Sequence, residues 1–106
     1  MDDDAEQLSI VVEQHEDRML VRLRGELDIV TAPMLESALD RANREIVVDL
    51  EDLEFLDAKG LGTLAQASAR AERHGDRLVV VNADSFAQRV FEVTGLDHLL
   101  SGSDAP

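Results

Sequence analysis

Apolar residues recur at every second position in two early segments. Leu8, Ile10 and Val12 form one set, and Met19, Val21 and Leu23 form the other. A period of two places one set of side chains on one face of a strand. Residues 14–17 between them are polar and turn-like, so the pair predicts a β-hairpin. Arg22 and Arg24 alternate with the second set and predict a solvated face, and residues 25–28 are expected to end that strand.

The period then changes. Thr31 is a plausible N-cap, followed by Ala32 and Pro33 in a first turn where a missing N–H is harmless. Leu35, Ala38, Leu39 and Ala42 recur at helical spacing. Residues 45–50 carry the β-branched run Ile46-Val47-Val48, which predicts a central strand buried on both faces, as in a parallel sheet. Residues 51–56 read as a loop leading to Asp57. Leu61, Leu64, Ser68 and Ala71 mark one side of a second helix, with Gly75 placed to end it in the left-handed conformation. Residues 78–81 predict another buried strand. Ser85 with Gln88 fits a capping box, and Phe86, Val90 and Val93 supply the apolar stripe of a third helix closed by Gly95. Leu96, Leu99 and Leu100 predict a final turn over the core.

The order β-β-α-β-α-β-α predicts an α/β fold: a mixed, mostly parallel four-stranded sheet with flanking helices and an antiparallel element at one edge. Residues 1–7 and 101–106 lack periodicity and are expected to be disordered tails around an ordered domain spanning 8–100. The length of 106 residues suits one domain, and a hydrophobic content of 44% supports a core without staples.

Charge and cysteine content narrow the function. The net charge of −13 repels phosphate backbones and anionic lipid, which argues against nucleic acid as a partner and favours a basic surface. Its main work is solvation of the surface. With no cysteine there is no disulfide, thiolate metal site or thiol nucleophile. No apolar run approaches the roughly 20 residues of a membrane-spanning helix, so no direct membrane insertion is expected. The first seven residues are acidic, unlike the start of a secretory signal. These features lead to the expectation of a cytoplasmic protein.

In open α/β sheets, ligands gather beyond the carboxyl ends of the strands. Asp28 and the stretch Asp57-Ala58-Lys59-Gly60-Leu61-Gly62 lie there. Asp57 fits a helix N-cap that accepts from the N–H of Lys59 or Gly60. Gly60 and Gly62 either admit another surface or let the helix pack tightly on the sheet, and spacing alone leaves both readings open. The stretch is neither GxxxxGK[ST] nor GxGxxG. Asp28, Asp49 and Asp57 could converge to hold Mg²⁺ or act as an acid–base pair, but aspartates at strand ends more often satisfy backbone donors. His15, His74 and His98 lack metal-ligand spacing and suit turns and helix ends. No nucleophile stands beside a base. No catalytic residue, cofactor or metal is assigned, and an enzyme is not expected.

Read together, these segments carry a family resemblance. Gly25-Glu26-Leu27-Asp28 with Thr31-Ala32, then Val47-Val48-Asp49-Leu50, then Phe55-Leu56-Asp57-Ala58-Lys59-Gly60-Leu61-Gly62, closely resemble the STAS family, which includes the anti-sigma factor antagonists of bacteria. Gly75 before the 78–81 strand and Val93-Thr94-Gly95-Leu96 also fit, so the resemblance runs from about Leu8 to Leu100. It implies the STAS fold. It also implies a regulatory protein-binding module that binds an anti-sigma factor, often a serine kinase, and so releases a sigma factor. The partner surface it implies comprises Asp28, Asp57, Ala58, Lys59, Gly60, Leu61 and Gly62, with the exposed side of the second helix.

The family's off-switch is phosphorylation of a serine in a motif Asp-Ser-Ser-Gly-Leu. Here Asp57 and Gly60 match the ends of that motif, and Ala58 and Lys59 replace the serines. Lys59 therefore occupies the phosphoacceptor-equivalent position and is not phosphorylatable there. It is the only lysine among ten cationic side chains. Its expected partner is Asp28 or an acidic group on the bound protein, unless it simply points to water. Thr63, one turn into the helix, is expected to have its hydroxyl committed to backbone. The alternative implied by the same resemblance is an accessory subunit that braces the ATPase subunit of a lipid-transporting ABC transporter, or a part of a stress-signalling assembly.

Overall fold

The computed structural model describes residues 7–101. Of the expected tails at 1–7 and 101–106, residues 1–6 and 102–106 lie outside the described residues, while Gln7 accepts from the Glu26 N–H and the Ser101 N–H donates to the Val80 carbonyl. The elements run β1 (Leu8–Gln14), β2 (Arg18–Leu27), α1 (Ala32–Leu39), β3 (Glu45–Leu56), α2 (Ala58–Arg73), β4 (Leu78–Val81), α3 (Ser85–Val93) and a short 3₁₀ turn at Asp97–Leu99. One sheet has the order β1-β2-β3-β4. β1 is antiparallel to β2, and β2-β3 and β3-β4 are parallel. The mixed four-stranded sheet with an antiparallel edge is the fold that the hydrophobic pattern predicts.

Met19, Val21 and Leu23 on β2, Ile46, Val48 and Leu50 on β3, and Leu78 and Val80 on β4 form a single core. Leu35 and Leu39 of α1, Leu61, Leu64 and Ala67 of α2, and Ala87 and Phe91 of α3 pack onto it, and Leu8, Leu27, Leu56 and Leu99 complete it. The parallel strands are therefore not buried equally on both faces. Val47, Asp49, Val79 and Val81 point to the other face and are only half-buried. The β-branched run reflects strand propensity on a half-open face as well as burial.

The predicted loop at 51–56 is strand. β3 continues beside β2 through Arg24↔Asp52, Gly25↔Leu53, Glu26↔Phe55 and Leu27↔Leu56. The register shifts between Arg22 and Arg24 and again between Gly25 and Glu26. Such irregularities insert an unpaired residue and break the period of two, so the sequence pattern no longer reads as strand. β2 ends at Leu27, within the 25–28 segment expected to end it.

Two helix details also differ from expectation. α3 is capped by Asp84, whose carboxylate accepts from the Ala87 N–H at 2.8 Å, and not by Ser85. Its buried side is Ala87 and Phe91, while Phe86 and Val93 face solvent. The i, i+4 pair built on a small alanine is the true core stripe. α2 ends as predicted, with Gly75 at φ 82° and the Asp76 N–H returning to the Ala71 carbonyl at 2.8 Å.

Candidate functional site

The carboxyl ends of β2 and β3 lie side by side, paired at Leu27↔Leu56. The Asp57 N–H then donates to the Leu27 carbonyl at 3.2 Å, so the turns opening α1 and α2 are adjacent. Asp28 and Asp57, distant in sequence, are thereby placed on one edge of the molecule.

Asp28 is tied to its own turn. Its Oδ1 accepts from the N–H groups of Val30 and Thr31, both at 3.0 Å. The Thr31 hydroxyl donates to the Glu26 carbonyl at 2.8 Å and accepts from the Asp28 N–H at 3.0 Å. Thr31 sits at the N-cap position but makes no side-chain bond into α1. It already has helical dihedrals, and its hydroxyl closes the preceding turn, which displaces the expected capping role onto Asp28.

Asp57 caps α2 as predicted. Its backbone is extended and its Oδ1 accepts from the Gly60 N–H at 2.9 Å. The negative charge meets the positive end of a 16-residue helix. The two glycines separate into different roles. A Cβ on Gly60 would lie 2.6 Å from Leu27 Cγ and 2.7 Å from the Leu27 carbonyl oxygen, so this glycine is the close contact between α2 and β2. A Cβ on Gly62 would meet nothing within 4 Å. The packing reading holds for Gly60, and the space beside Gly62 is open.

Ala58 and Lys59 are exposed, and Leu61 is in the core. Among the described residues the Lys59 ammonium has no ion-pair partner, Asp28 included; Asp28 Oδ1 is engaged by its own backbone. The Lys59 carbonyl accepts from the Thr63 hydroxyl at 3.4 Å, so Thr63 is buried with its hydroxyl turned to backbone as anticipated.

The third aspartate lies apart. Asp49 Oδ1 accepts from the Glu51 N–H at 2.9 Å and from Asn82 Nδ2 at 3.1 Å, and its other oxygen is 3.8 Å from Arg22 Nε. No group of acidic residues and histidines suited to a metal ion occurs among the described residues. His15 lies 3.4 Å from Glu13 at the hairpin, His74 at the end of α2 sits 2.9 Å from the Arg70 carbonyl, and His98 is in the 3₁₀ turn.

Five large apolar side chains at or near the two turns face solvent, among them Phe86, which the helical pattern placed in the apolar stripe of α3. Ile29 is 66% exposed, Val30 69%, Met34 48%, Phe55 44% and Phe86 59%. Ile29 and Val30 follow Asp28 directly, Met34 is in the first turn of α1, and Phe55 is the penultimate residue of β3, two residues before Asp57. Phe55 and Phe86 line a shallow recess with Leu53, Asp84 and Ala87. The available signal was the Ile29-Val30 pair, which falls between a strand and a helix and fits neither period. Solvent-facing apolar clusters of this kind mark interaction sites more often than chance.

Comparison with known proteins agrees with this geometry. The family described as Mlab, STAS domain, matches residues 10–101. The anti-sigma-B factor antagonist of Staphylococcus aureus is 32% identical over 84 residues, covering 76% of this chain and 78% of the relative. The anti-sigma F factor antagonist of Paenibacillus polymyxa is 31% identical over 94 residues, covering 84% and 80%. A crystal structure of an anti-sigma factor antagonist from Mycobacterium paratuberculosis superposes with a TM-score of 0.75 at 33% identity, over 88% of this chain and 82% of that one. The chain belongs to the STAS domain family and is of the anti-sigma factor antagonist type.

Proposed function

We propose that this chain is a binding module that docks onto an anti-sigma factor of the serine kinase type and thereby frees a sigma factor, with no catalytic step of its own. The docking surface is Asp28, Asp57, Ala58, Lys59, Gly60, Leu61 and Gly62, widened by Ile29, Val30, Met34 and Phe55. One observation carries this reading: two helix-opening turns meet on one edge, and the side chains between and beside them are exposed and apolar. Desolvating such side chains drives association, and aromatic and aliphatic anchors dominate binding energy. Within this surface Asp57 and Gly60 set the turn and Leu61 fixes it to the core. Lys59 and the open side of α2 at Gly62 make the contact.

Lys59 stands at the phosphoacceptor-equivalent position, so the module stays competent in the presence of an active kinase. The ammonium, without an ion-pair partner among the described residues, seeks an acidic group on the partner. Purified protein titrated with the anti-sigma factors of its own organism should form a complex without acquiring phosphate. Lys59→Glu should weaken that complex roughly tenfold or more, about 1.4 kcal/mol. Lys59→Ser should acquire phosphate from the kinase. Undiminished affinity in Lys59→Glu would place the contact elsewhere. Co-purification with the ATPase subunit of an ABC transporter, with no affinity for any anti-sigma factor, would replace this reading by the accessory-subunit one.

A further inference from the structure

β1 is an edge strand, and its outer side has the features of a self-complementary surface. The Glu26 N–H donates to the Gln7 carbonyl and the His15 N–H donates to the Arg18 carbonyl. With the register Leu8↔Gly25 through Gln14↔Met19, these bonds put the backbone groups of Ser9, Val11 and Glu13 toward β2. The N–H and C=O groups of Leu8, Ile10, Val12 and Gln14 therefore point away from the sheet. Natural edges are commonly blunted by lysine, proline or a bulge. The strand LSIVVEQ has no lysine or proline, and its pairing with β2 is uninterrupted. Val11 is 50% exposed on the open face and Val12 is 40% exposed on the helix-bearing face. Exposure of Val12 means that the helical layer stops short of this edge and leaves room for another strand.

We propose that β1 pairs antiparallel with β1 of a second copy of this chain, about a two-fold axis at Val11. In that register Ile10 lies opposite the second copy's Val12 and Leu8 opposite its Gln14, so the outward backbone groups exchange hydrogen bonds. The two Val11 side chains meet across the axis as a non-hydrogen-bonded pair, the closer kind. Ser9 faces the second copy's Glu13, so no like charges stand opposite. The charges match locally across this edge, against the overall repulsion of two chains of net charge −13. Arg24 is the register neighbour of Ser9 and has no ion pair among the described residues, although Asp52 stands opposite it on β3. The small Ser9 lets the Arg24 guanidinium reach over to the second copy's Glu13, about two strand spacings away, roughly 10 Å between backbones. Glu13 in each copy already draws Arg22 and His15, so the added arginine closes a cationic ring around it. A seven-residue edge buries well under the roughly 1,600 Å² of a standard interface. The pair is therefore a weak one. It leaves the turns at Asp28 and Asp57, which follow the carboxyl ends of β2 and β3, to their own partner.

The test uses the full chain, by sedimentation and by amide exchange over a concentration series from about 10 µM to about 1 mM. The mean mass should rise toward that of two chains. The amides of Ile10 and Val12 should gain protection as it rises, while that of Val11, already bonded to β2, should not change. Val12→Pro removes an outward donor without touching the β2 ladder and should weaken association at least about tenfold. Arg24→Glu should weaken it severalfold, and adding Glu13→Arg to that variant should restore it. If Val12→Pro does not fold, the amide series on the unmodified chain decides alone. A constant monomer mass across the series, or Ile10 and Val12 amides whose protection is independent of concentration, overturns the proposal.

Discussion

The turns that open α1 and α2 begin alike and are held differently. Each follows the end of a parallel strand, each starts with an aspartate, and each caps a helix. At Asp28 the carboxylate and the Thr31 hydroxyl share four bonds with the local backbone, and the helix that follows has eight residues. At Asp57 the carboxylate makes one backbone bond, and the following helix has 16 residues. What secures the second turn is steric: Gly60 lies directly on Leu27, which is fully buried. A turn fixed by its own polar groups keeps its shape without the rest of the protein. A turn fixed by one close contact needs few polar groups, so the side chains of Ala58 and Lys59 remain on the outside.

Substitutions can separate the two modes. The largest effect is expected at Gly60→Ala, where the new methyl group meets backbone as well as a side chain, at a cost of roughly 1–3 kcal/mol or more. Gly62→Ala, two residues on, should instead stabilise by up to about 1 kcal/mol, because the space is open and alanine is the better helix former. Chemical denaturation of both variants reads the difference in sign. Next in size is Asp28→Ala, expected to cost about 1–2 kcal/mol through the loss of two backbone acceptor bonds. Asp57→Ala should cost about 1 kcal/mol. If Asp57→Ala proves the costlier of the two, the second turn depends on its cap more than on Gly60.

The smallest effect lies far from both turns. Hydrogen bonding and the charge of Arg22, with a further bond from His15, hold the Glu13 carboxyl below the ordinary glutamate range. A carboxylate whose pKa is lower in the folded chain contributes stability above its unfolded pKa and loses it as pH falls through the folded value. The pair is solvent-exposed, so the contribution is slight. An NMR titration should find Glu13 titrating below the ordinary glutamate range, and Arg22→Ala should raise it toward that range.

Much of this arrangement is legible in the residues. Alternation gives both strands of the hairpin, and Asp57 with Gly75 brackets α2 almost to the residue. What escaped notice shares a physical cause: a period that tertiary structure interrupts or re-aims. The register shifts opposite residues 51–56 turn a strand into what reads as a polar loop. On α3, alanine does the packing that was assigned to Phe86, and the larger residue lies on the surface. Of the site, the aspartate caps and the glycine stretch can be read directly. The role of Gly60 cannot, since its contact is with Leu27, 33 positions earlier and on another element. Nor can the apolar fringe at Ile29, Val30 and Phe55, because exposure of an apolar residue depends on what fails to cover it.

The outward position of Phe55 has a practical consequence. The chain contains neither tryptophan nor tyrosine, so its near-ultraviolet emission is almost dark. A single indole introduced as Phe55→Trp would glow alone at the rim of the second turn. Its colour would report in real time on whatever settles there, without interference from any other part of the molecule.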